Sequence, residues 1–333
     1  MDDGLIEEVG RGPSSGGKSP ILLRVAPDGR HAIGLDLGDA QFRGAVVNLR
    51  GEILRSIGLP LEGRNGDAAV ELVLRLVDEL RAGDTAPLLG IGIGAPGIID
   101  TGTGTVRWAV NLDWADLRLG KLLEERYGSP VVIANDSQAA AVAELTFFRR
   151  PRPNNLIVIK VGRGVGAGII LNGQLFQGDG HGAGEFGHVA MGGEAACRCG
   201  RVGCLETLVS LRALIEAAGA IDPSITDEGD LVAAFLGGVA AIRHLVLDSA
   251  SQLGVAVGWL IGVLNVRHVL VVGPVAAFGD DWLGEVRRSA RSGVLQLLAQ
   301  DTQVDFGHIH DDVVGLGASA LLMEQQLGLG LVR

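Results

Sequence analysis

The three cysteines of the chain all fall in one short run, Cys197-Arg198-Cys199-Gly200-Arg201-Val202-Gly203-Cys204, and His188 stands shortly before it. Three thiolates and one imidazole complete the tetrahedral donor set that Zn2+ takes, and Gly200 and Gly203 permit the tight turns a single chelating loop needs. A closed four-ligand shell leaves no open coordination position, so the ion expected on His188, Cys197, Cys199 and Cys204 is structural and not catalytic. Two other readings compete. Three small core cysteines would sit among Val and Leu, whereas these sit among Arg and Gly. A disulfide would leave one cysteine unpaired, and nothing else in the sequence suggests an oxidising compartment.

Such a loop has to be carried by packed elements, and the composition supplies them. With 333 residues and 47% hydrophobic content, the chain has material for two ordinary domains. Its formal net charge is -11 and its pI is near 5.1. The field of the whole protein therefore repels phosphate backbones and anionic membranes, and nucleic acid is not an expected partner of this chain alone. Asp2, Asp3, Glu7 and Glu8 followed by Gly and Ser make neither the basic start nor the apolar middle of a signal peptide, so the expected location is cytoplasmic. The most apolar stretch, Leu253 to Val266, is shorter than a membrane span and is followed by Arg267 and His268. It reads as a buried helix running into a strand, and no membrane segment is expected.

Hydrophobic periodicity lays out the elements. Strands at His31–Leu37, Phe42–Leu49 and Glu52–Gly58 are followed by a helix at Asp67–Arg81. Next come a strand at Leu88–Gly94, a helix at Leu117–Tyr127, a strand at Pro130–Ala134 and a helix at Ser137–Phe148. After the Pro-rich link Arg150–Asn155 a similar order begins again, with strands at Leu156–Val161 and Ala167–Leu171, an Asn172-Gly173 turn and a strand at Gln174–Gln177. Further elements include a strand at Val269–Val272, a helix at Asp280–Leu298 and a final helix at Leu316–Leu327. Two copies of one plan imply two α/β lobes with a cleft between them, a default place for a ligand.

Three segments occur in one order: Asn135-Asp136 ahead of an Ala-rich helix, Gly184-Glu185-Phe186-Gly187-His188, and the Cys-x-Cys-Gly-x-x-Gly-Cys-x-Glu run ending at Glu206. Together they resemble the ROK family, which groups bacterial sugar kinases with sugar-responsive repressors, and the likeness runs from about His31 onward. The resemblance implies an α/β, actin-like and hexokinase-like pair of lobes (a duplicated ribonuclease H-like fold) with a structural zinc loop, usually in a homodimer. On this plan 1–30 is a remnant wing and linker, 31–150 the N-terminal lobe completed by a C-terminal helix at 314–333, and 151–313 the C-terminal lobe with the zinc loop. By position the resemblance also implies sugar contacts from Asn111, Asn135, Asp136, Glu185, His188 and Glu206, with Pro96-Gly97 closing one side. In the family's kinases the residue matching Asp136 is the general base.

The chemistry agrees with that assignment. Sugar hydroxyls both donate and accept, so a pocket for them wants carboxylates, amides and an imidazole at fixed distances. Zinc on one nitrogen of His188 would leave the other N–H to donate to a hydroxyl. Singly, Asn135 and Asp136 could instead cap the helix starting at Ser137, and Glu185 and Glu206 could be solvated loop charges.

The nucleotide half departs from the kinase pattern. Kinases of this family hold ATP and Mg2+ with two glycine-rich turns, the first usually reading Asp-x-Gly-Gly-Thr. Here it reads Asp36-Leu37-Gly38-Asp39-Ala40. Asp39 puts a carboxylate where phosphate oxygens would approach, and two like charges at about 4 Å cost on the order of 1 kcal/mol in water and more in a less polar cleft. Ala40 lacks the hydroxyl. The second turn, Gly162-Arg163-Gly164-Val165-Gly166-Ala167-Gly168, has Arg163 where the kinases usually show Thr. Gly273-Pro274 stands where they commonly have Gly-Gly, and proline removes a donor and fixes φ. Asp36, Gly38, Gly164, Gly166 and Gly273 would meet the nucleotide if kinase activity were retained.

These departures favour a sugar-sensing protein of the repressor branch, binding a hexose or amino sugar. The alternatives are an ATP-dependent hexose or N-acetylhexosamine kinase with Asp136 as base, and a catalytically inactive scaffold. The segment Gly4–Val25 reads as strand, Gly/Ser-rich excursion and returning strand, similar to the wing of a winged helix-turn-helix. A recognition helix would precede that wing, yet only Met1, Asp2 and Asp3 do. Either the start codon lies upstream or a DNA-reading domain was lost, and this chain alone is not expected to bind operator DNA specifically.

Overall fold

The structure, a computed structural model, describes residues 4–13, 16, 18–149, 151–308 and 311–328. It forms two compact units, one built from Met1–Asp136 with the returning segment from Val314, the other from Ser137–Val313.

In the first unit, β1 (Ile6–Arg11) and β2 (Ile21–Val25) pair antiparallel as a sheet of their own. These are the two strands expected at the N-terminus; residues 14, 15 and 17 of the intervening excursion lie outside the described residues. The chain continues through β3 (His31–Leu37), β4 (Gln41–Asn48), β5 (Ile53–Pro60), α1 (Gly66–Arg81) and β6 (Leu88–Ala95). Then follow β7 (Ile98–Asp100), β8 (Thr105–Ala109), β9 (Trp114–Leu117), α2 (Leu119–Tyr127) and β10 (Val131–Asn135). The main sheet has the order β10-β6-β3-β4-β5. Tight turns make β3, β4 and β5 antiparallel, and the longer helical crossovers let β6 and β10 run parallel to β3. Helix α1 buries Ala69, Val70, Leu72, Val73, Leu76, Val77 and Leu80 over β4 and β5, as the apolar spacing predicts. Each large side chain so buried stabilises the unit by about 1.5–3 kcal/mol relative to exposure. The helix expected at Leu117–Tyr127 starts later, because Trp114–Leu117 is the third strand of a small sheet, β7-β8-β9.

The second unit begins at Ser137, one residue into α3 (Asp136–Ala143), which passes into a π-helical turn at Glu144–Phe148 where a single α-helix is expected. The Arg149 N–H reaches back to the Glu144 carbonyl at 3.0 Å, and the wholly buried Glu144 carboxylate accepts the His308 N–H. Next come β11 (Leu156–Val161), β12 (Val165–Leu171), β13 (Gln174–Leu175), α4 (Glu206–Val209), α5 (Leu211–Ile221), α6 (Glu228–Leu236) and α7 (Ala240–Leu264). The unit ends with β14 (His268–Val272), α8 (Gly279–Ser292), α9 (Gln296–Asp301) and β15 (Gln303–Phe306). The sheet order is β13-β12-β11-β14-β15, three antiparallel strands and then two parallel ones. Numbered from its own first strand, each main sheet has the same spatial order, 3-2-1-4-5. The duplication read from the sequence is therefore present strand for strand.

Helix α7 is long and apolar enough to cross a membrane by length and composition. Its Ile242, Val246, Ala250, Leu253, Val257 and Ile261 nevertheless lie in the core of this unit. It ends at Asn265, whose left-handed φ of 51° turns the chain towards β14. The helix expected at Asp280–Leu298 is two, with α8 ending at Ser292 and α9 starting at Gln296. Apolar spacing carried that expectation past Gly293, yet Leu295 and Leu297 are each 76% exposed.

Candidate metal centre and ligand-contact residues

The loop from His188 to Cys204 is folded back on itself by backbone hydrogen bonds. Met191 N–H donates to the Gly203 carbonyl, Leu205 N–H to Val189 and Cys197 N–H to Arg201, at 2.8, 2.9 and 2.7 Å. His188 ends a short 3-10 turn, Phe186–His188. This brings the donor atoms of His188, Cys197, Cys199 and Cys204 within 4.8 Å of one another. Cys197 Sγ lies 3.6 Å from His188 Nδ1, and Cys199 Sγ lies 3.7 Å from Cys204 Sγ. A tetrahedron with Zn–S near 2.3 Å and Zn–N near 2.05 Å has S···N edges of about 3.6 Å and S···S edges of about 3.8 Å. These two edges match that ion and the remaining donor pairs lie within 4.8 Å, while the Cys199–Cys204 separation is far beyond a disulfide bond, about 2.05 Å.

Burial pushes the Cys204 thiol up to about 12, with the Cys199 and Cys197 thiols adding to it. Burial likewise raises Cys197. Burial opposes ionisation of Cys199 as well, but the Arg201 N–H and the neighbouring thiols outweigh it and bring that thiol below its ordinary value. A packed set of thiols of which two resist ionisation is the arrangement a bound dication reverses, because coordination requires thiolate.

Two of the expected sugar contacts lie beside this loop. His188 Nε2, the nitrogen turned away from Cys197, is 3.8 Å from Glu185 Oε2. A metal on Nδ1 would make Nε2 the N–H donor. Glu206, the first residue of α4, is only 8% exposed, so it is not a solvated loop charge. Its Oε2 accepts the Val165 N–H at 3.1 Å, and its Oε1 takes Arg212 Nη2 of α5 at 3.2 Å. Arg212 carries no sequence signal: it stands six residues after Glu206, across the α4–α5 corner, and only the fold pairs them.

The first unit holds the other residues expected at the sugar. Asn135 ends β10, is buried, and donates through Nδ2 to the Gly97 carbonyl at 3.0 Å. Asp136 begins α3. Gly97 has φ of +86°, and a Cβ there would come within 2.1 Å of the Trp108 carbonyl oxygen. The Pro96-Gly97 loop is thus pressed onto β8, which leads into the 3-10 turn Val110–Leu112 bearing Asn111. Asn111 Nδ2 donates to Asp39 Oδ1 at 2.8 Å. The structure thereby bonds Asn135 to Gly97, with Asp136 next to Asn135, and ties Asn111 to Asp39 in the turn that follows β3 at Gly38.

The second glycine turn has structural reasons for two of its glycines. A Cβ on Gly166 would meet Ser137 Oγ at 2.3 Å, and one on Gly168 would meet the Ser137 carbonyl oxygen and Ala141 Cβ at 2.4 Å. Close approach of α3 to β12 requires both, whatever the turn binds. Gly164 faces Glu206, whose Oε2 would lie 3.1 Å from an added Cβ. Arg163 is exposed. Gly273 has φ of +107°, and Pro274 opens the 3-10 turn Pro274–Phe278. A Cβ on Gly162 would lie 3.8 Å from Pro274 Cδ, so the altered turn and the altered Gly-Pro are neighbours.

Known proteins extend these observations. The chain is 31% identical to the xylose repressor of Caldicellulosiruptor bescii over 98% of its own length and 86% of that protein's. It is 29% identical to a glucokinase of Halalkalibacterium halodurans over 89% of this chain and 96% of that one. Among solved structures it is similar to a ROK family transcriptional regulator, a homolog of the E. coli MLC protein, with a TM-score of 0.84, 26% identity and coverage of 99% of this chain and 87% of that one. A ROK family glucokinase from Streptomyces griseus, solved with glucose and AMPPNP, gives a TM-score of 0.80 at 26% identity over 87% and 98%. The fold is therefore hexokinase-like, with mixed α/β sheets. The family model of the ROK family matches residues 32–325, and the chain belongs to that family.

Proposed function

We propose that this protein is a sugar-sensing member of the family, of transcriptional-regulator type, which binds a monosaccharide without phosphorylating it. Asn111, Asn135, Asp136, Glu185, His188 and Glu206 contact the sugar, and zinc on His188, Cys197, Cys199 and Cys204 holds the loop that presents Glu185 and His188. The sequence favours a hexose or amino sugar, and the relatives named xylose repressors add an aldopentose to the class. The observation that carries this reading is the carboxylate of Asp39 in the first glycine turn, 2.8 Å from Asn111. That turn offers a hydrogen-bonded anion where a phosphate would need donors, and Ala40 offers no hydroxyl. Arg163 and Pro274 weaken the other nucleotide contacts in the same direction.

The kinase reading has its own support in Asp136, which stands where the family's kinases place their general base, and in the glucokinases among the relatives. A coupled ADP-release assay with ATP and Mg2+ across glucose, N-acetylglucosamine, N-acetylmannosamine and xylose separates the two. The expected result is no sugar-dependent ADP. A turnover number in the ordinary kinase range, roughly 1 to 100 per second, would falsify the sensor reading.

A further inference from the structure

Both glycine turns are hydrogen-bonded to residues proposed to hold the sugar. In the first unit Asp39 Oδ1 accepts from Asn111 Nδ2 at 2.8 Å; in the second the Val165 N–H donates to Glu206 Oε2 at 3.1 Å. The first link requires a side chain at position 39, where the kinase pattern has glycine and therefore no group to offer. We infer that Asp39 is a specificity-determining positioning residue for the sugar, acting through Asn111, and that the turn after β3 supports sugar recognition here. This inference rests on the sugar-sensing reading of the preceding section.

The physical case lies in the amide. The two ends of an asparagine amide are nearly the same size but opposite in hydrogen bonding: one end donates twice and the other only accepts. Without a partner that tells them apart, a half-turn about χ2 exchanges them at little cost. A carboxylate is acceptor-only, so Asp39 selects the NH2 end of Asn111 and directs the carbonyl oxygen away from itself. Asn111 then meets the ligand with a defined donor and acceptor pattern. A site built to pair one hydroxyl discriminates strongly against the analogue lacking it, because the buried group is then left unpaired. Loss of Asp39 removes that acceptor-only partner while leaving Asn111 in place.

The experiment uses the full zinc-loaded chain. Sugar affinity is measured by calorimetry for wild type, Asp39→Ala, Asp39→Asn, Asn111→Ala and the Asp39→Ala/Asn111→Ala double variant. The ligands are the best-binding sugar of the panel and its monodeoxy analogues. Zinc content and circular dichroism verify that each variant is folded, and Asp39→Asn keeps the shape of the turn. Asp39→Ala is expected to weaken binding about tenfold or more, the usual scale for a hydrogen bond to a charged group. Asp39→Asn, whose amide can meet either end of Asn111, should not restore the full affinity and discrimination. In the Asn111→Ala background Asp39→Ala should add nothing measurable, and Asp39→Ala should lose discrimination against one deoxy analogue more than against the others. An unchanged affinity in Asp39→Ala overturns the inference while leaving the sensor reading intact, as does a full Asp39→Ala penalty that persists without Asn111. Wild-type affinity and discrimination in Asp39→Asn also overturn it, since an acceptor-only partner would then not matter. A wild-type protein that binds none of the sugars overturns the sensor reading, and this inference with it.

Discussion

Cys199→Ala isolates the contribution of the proposed metal. Cys204 is 1% exposed, so replacing it would mix ligand loss with a cavity, whereas Cys199 is only partly buried and removes little packing. Cys197 Sγ to His188 Nδ1 and Cys199 Sγ to Cys204 Sγ, at 3.6 and 3.7 Å, are opposite edges of the tetrahedron, so losing Cys199 opens one edge and leaves the other. If that raises the dissociation constant about 100-fold, linkage removes about 2.7 kcal/mol in zinc-replete buffer. For a unit of this size a loss of 1 kcal/mol lowers Tm by about 2–4 °C, which gives about 5–10 °C. Calorimetric melting of wild type and variant, each with and without a strong chelator, measures it. The chelator should lower both, and wild type further, so that the difference of about 2.7 kcal/mol closes. Equal melting temperatures in zinc, or a chelator shift of the same size in both, would refute a metal held by these four residues.

Elemental analysis of chelator-free protein should find about one zinc per chain, as a closed structural site retains its ion through purification. A sugar present at about a hundredfold over its dissociation constant should stabilise the fold by roughly 2.7 kcal/mol in a thermal-shift assay, and Glu185→Ala or Asp136→Ala should abolish the shift. Gly97→Ala should destabilise by about 1–3 kcal/mol or more, because an L side chain at φ of +86° would also press on the Trp108 carbonyl; an unchanged denaturation midpoint would contradict this. Tyr127 is the chain's single tyrosine, so near-ultraviolet titration reads it alone. Burial, then its hydrogen bond to Asp78, pushes its phenol up to about 12. The unfolded chain loses this proton first, so stability should fall as pH rises from about 10 through 12, and a midpoint near 10 with the fold intact would contradict the packing.

The strands of both main sheets other than β15 were legible because each repeats a short apolar run, as at Leu156–Val161, closed in places by a Gly or Asn-Gly turn such as Asn172-Gly173, whereas the four residues of β15 (Gln303–Phe306) were not read as a strand. Elements with mixed signals were not. Trp114–Leu117 has too few residues to show alternation, and Glu144–Phe148 keeps helical spacing while its hydrogen bonds shift to the π pattern around a buried carboxylate. Periodicity also ran through Gly293, since Val294 and Leu298 continue the apolar stripe of α8 although the helix has ended. The metal set was legible from residue type alone, since three cysteines in one loop with a nearby histidine have few other uses. The proposed sugar contacts needed the family's motif order, because Asn111, Asn135 and Glu206 are separated in the chain and each suits a cap or a loop. Least legible were the links that hold them: Asp39 and Asn111 stand 72 positions apart, and Arg212 reaches Glu206 only through the α4–α5 corner.

Sugar binding itself is the claim on which the rest depends, and calorimetric titration of the zinc-loaded chain with the four-sugar panel, without nucleotide, measures it directly. The account predicts a saturable heat for at least one sugar, with about one site per chain, that disappears in Asp136→Ala while the zinc content stays at wild-type level. No heat for any of the sugars, or binding that Asp136→Ala leaves unchanged, would contradict it.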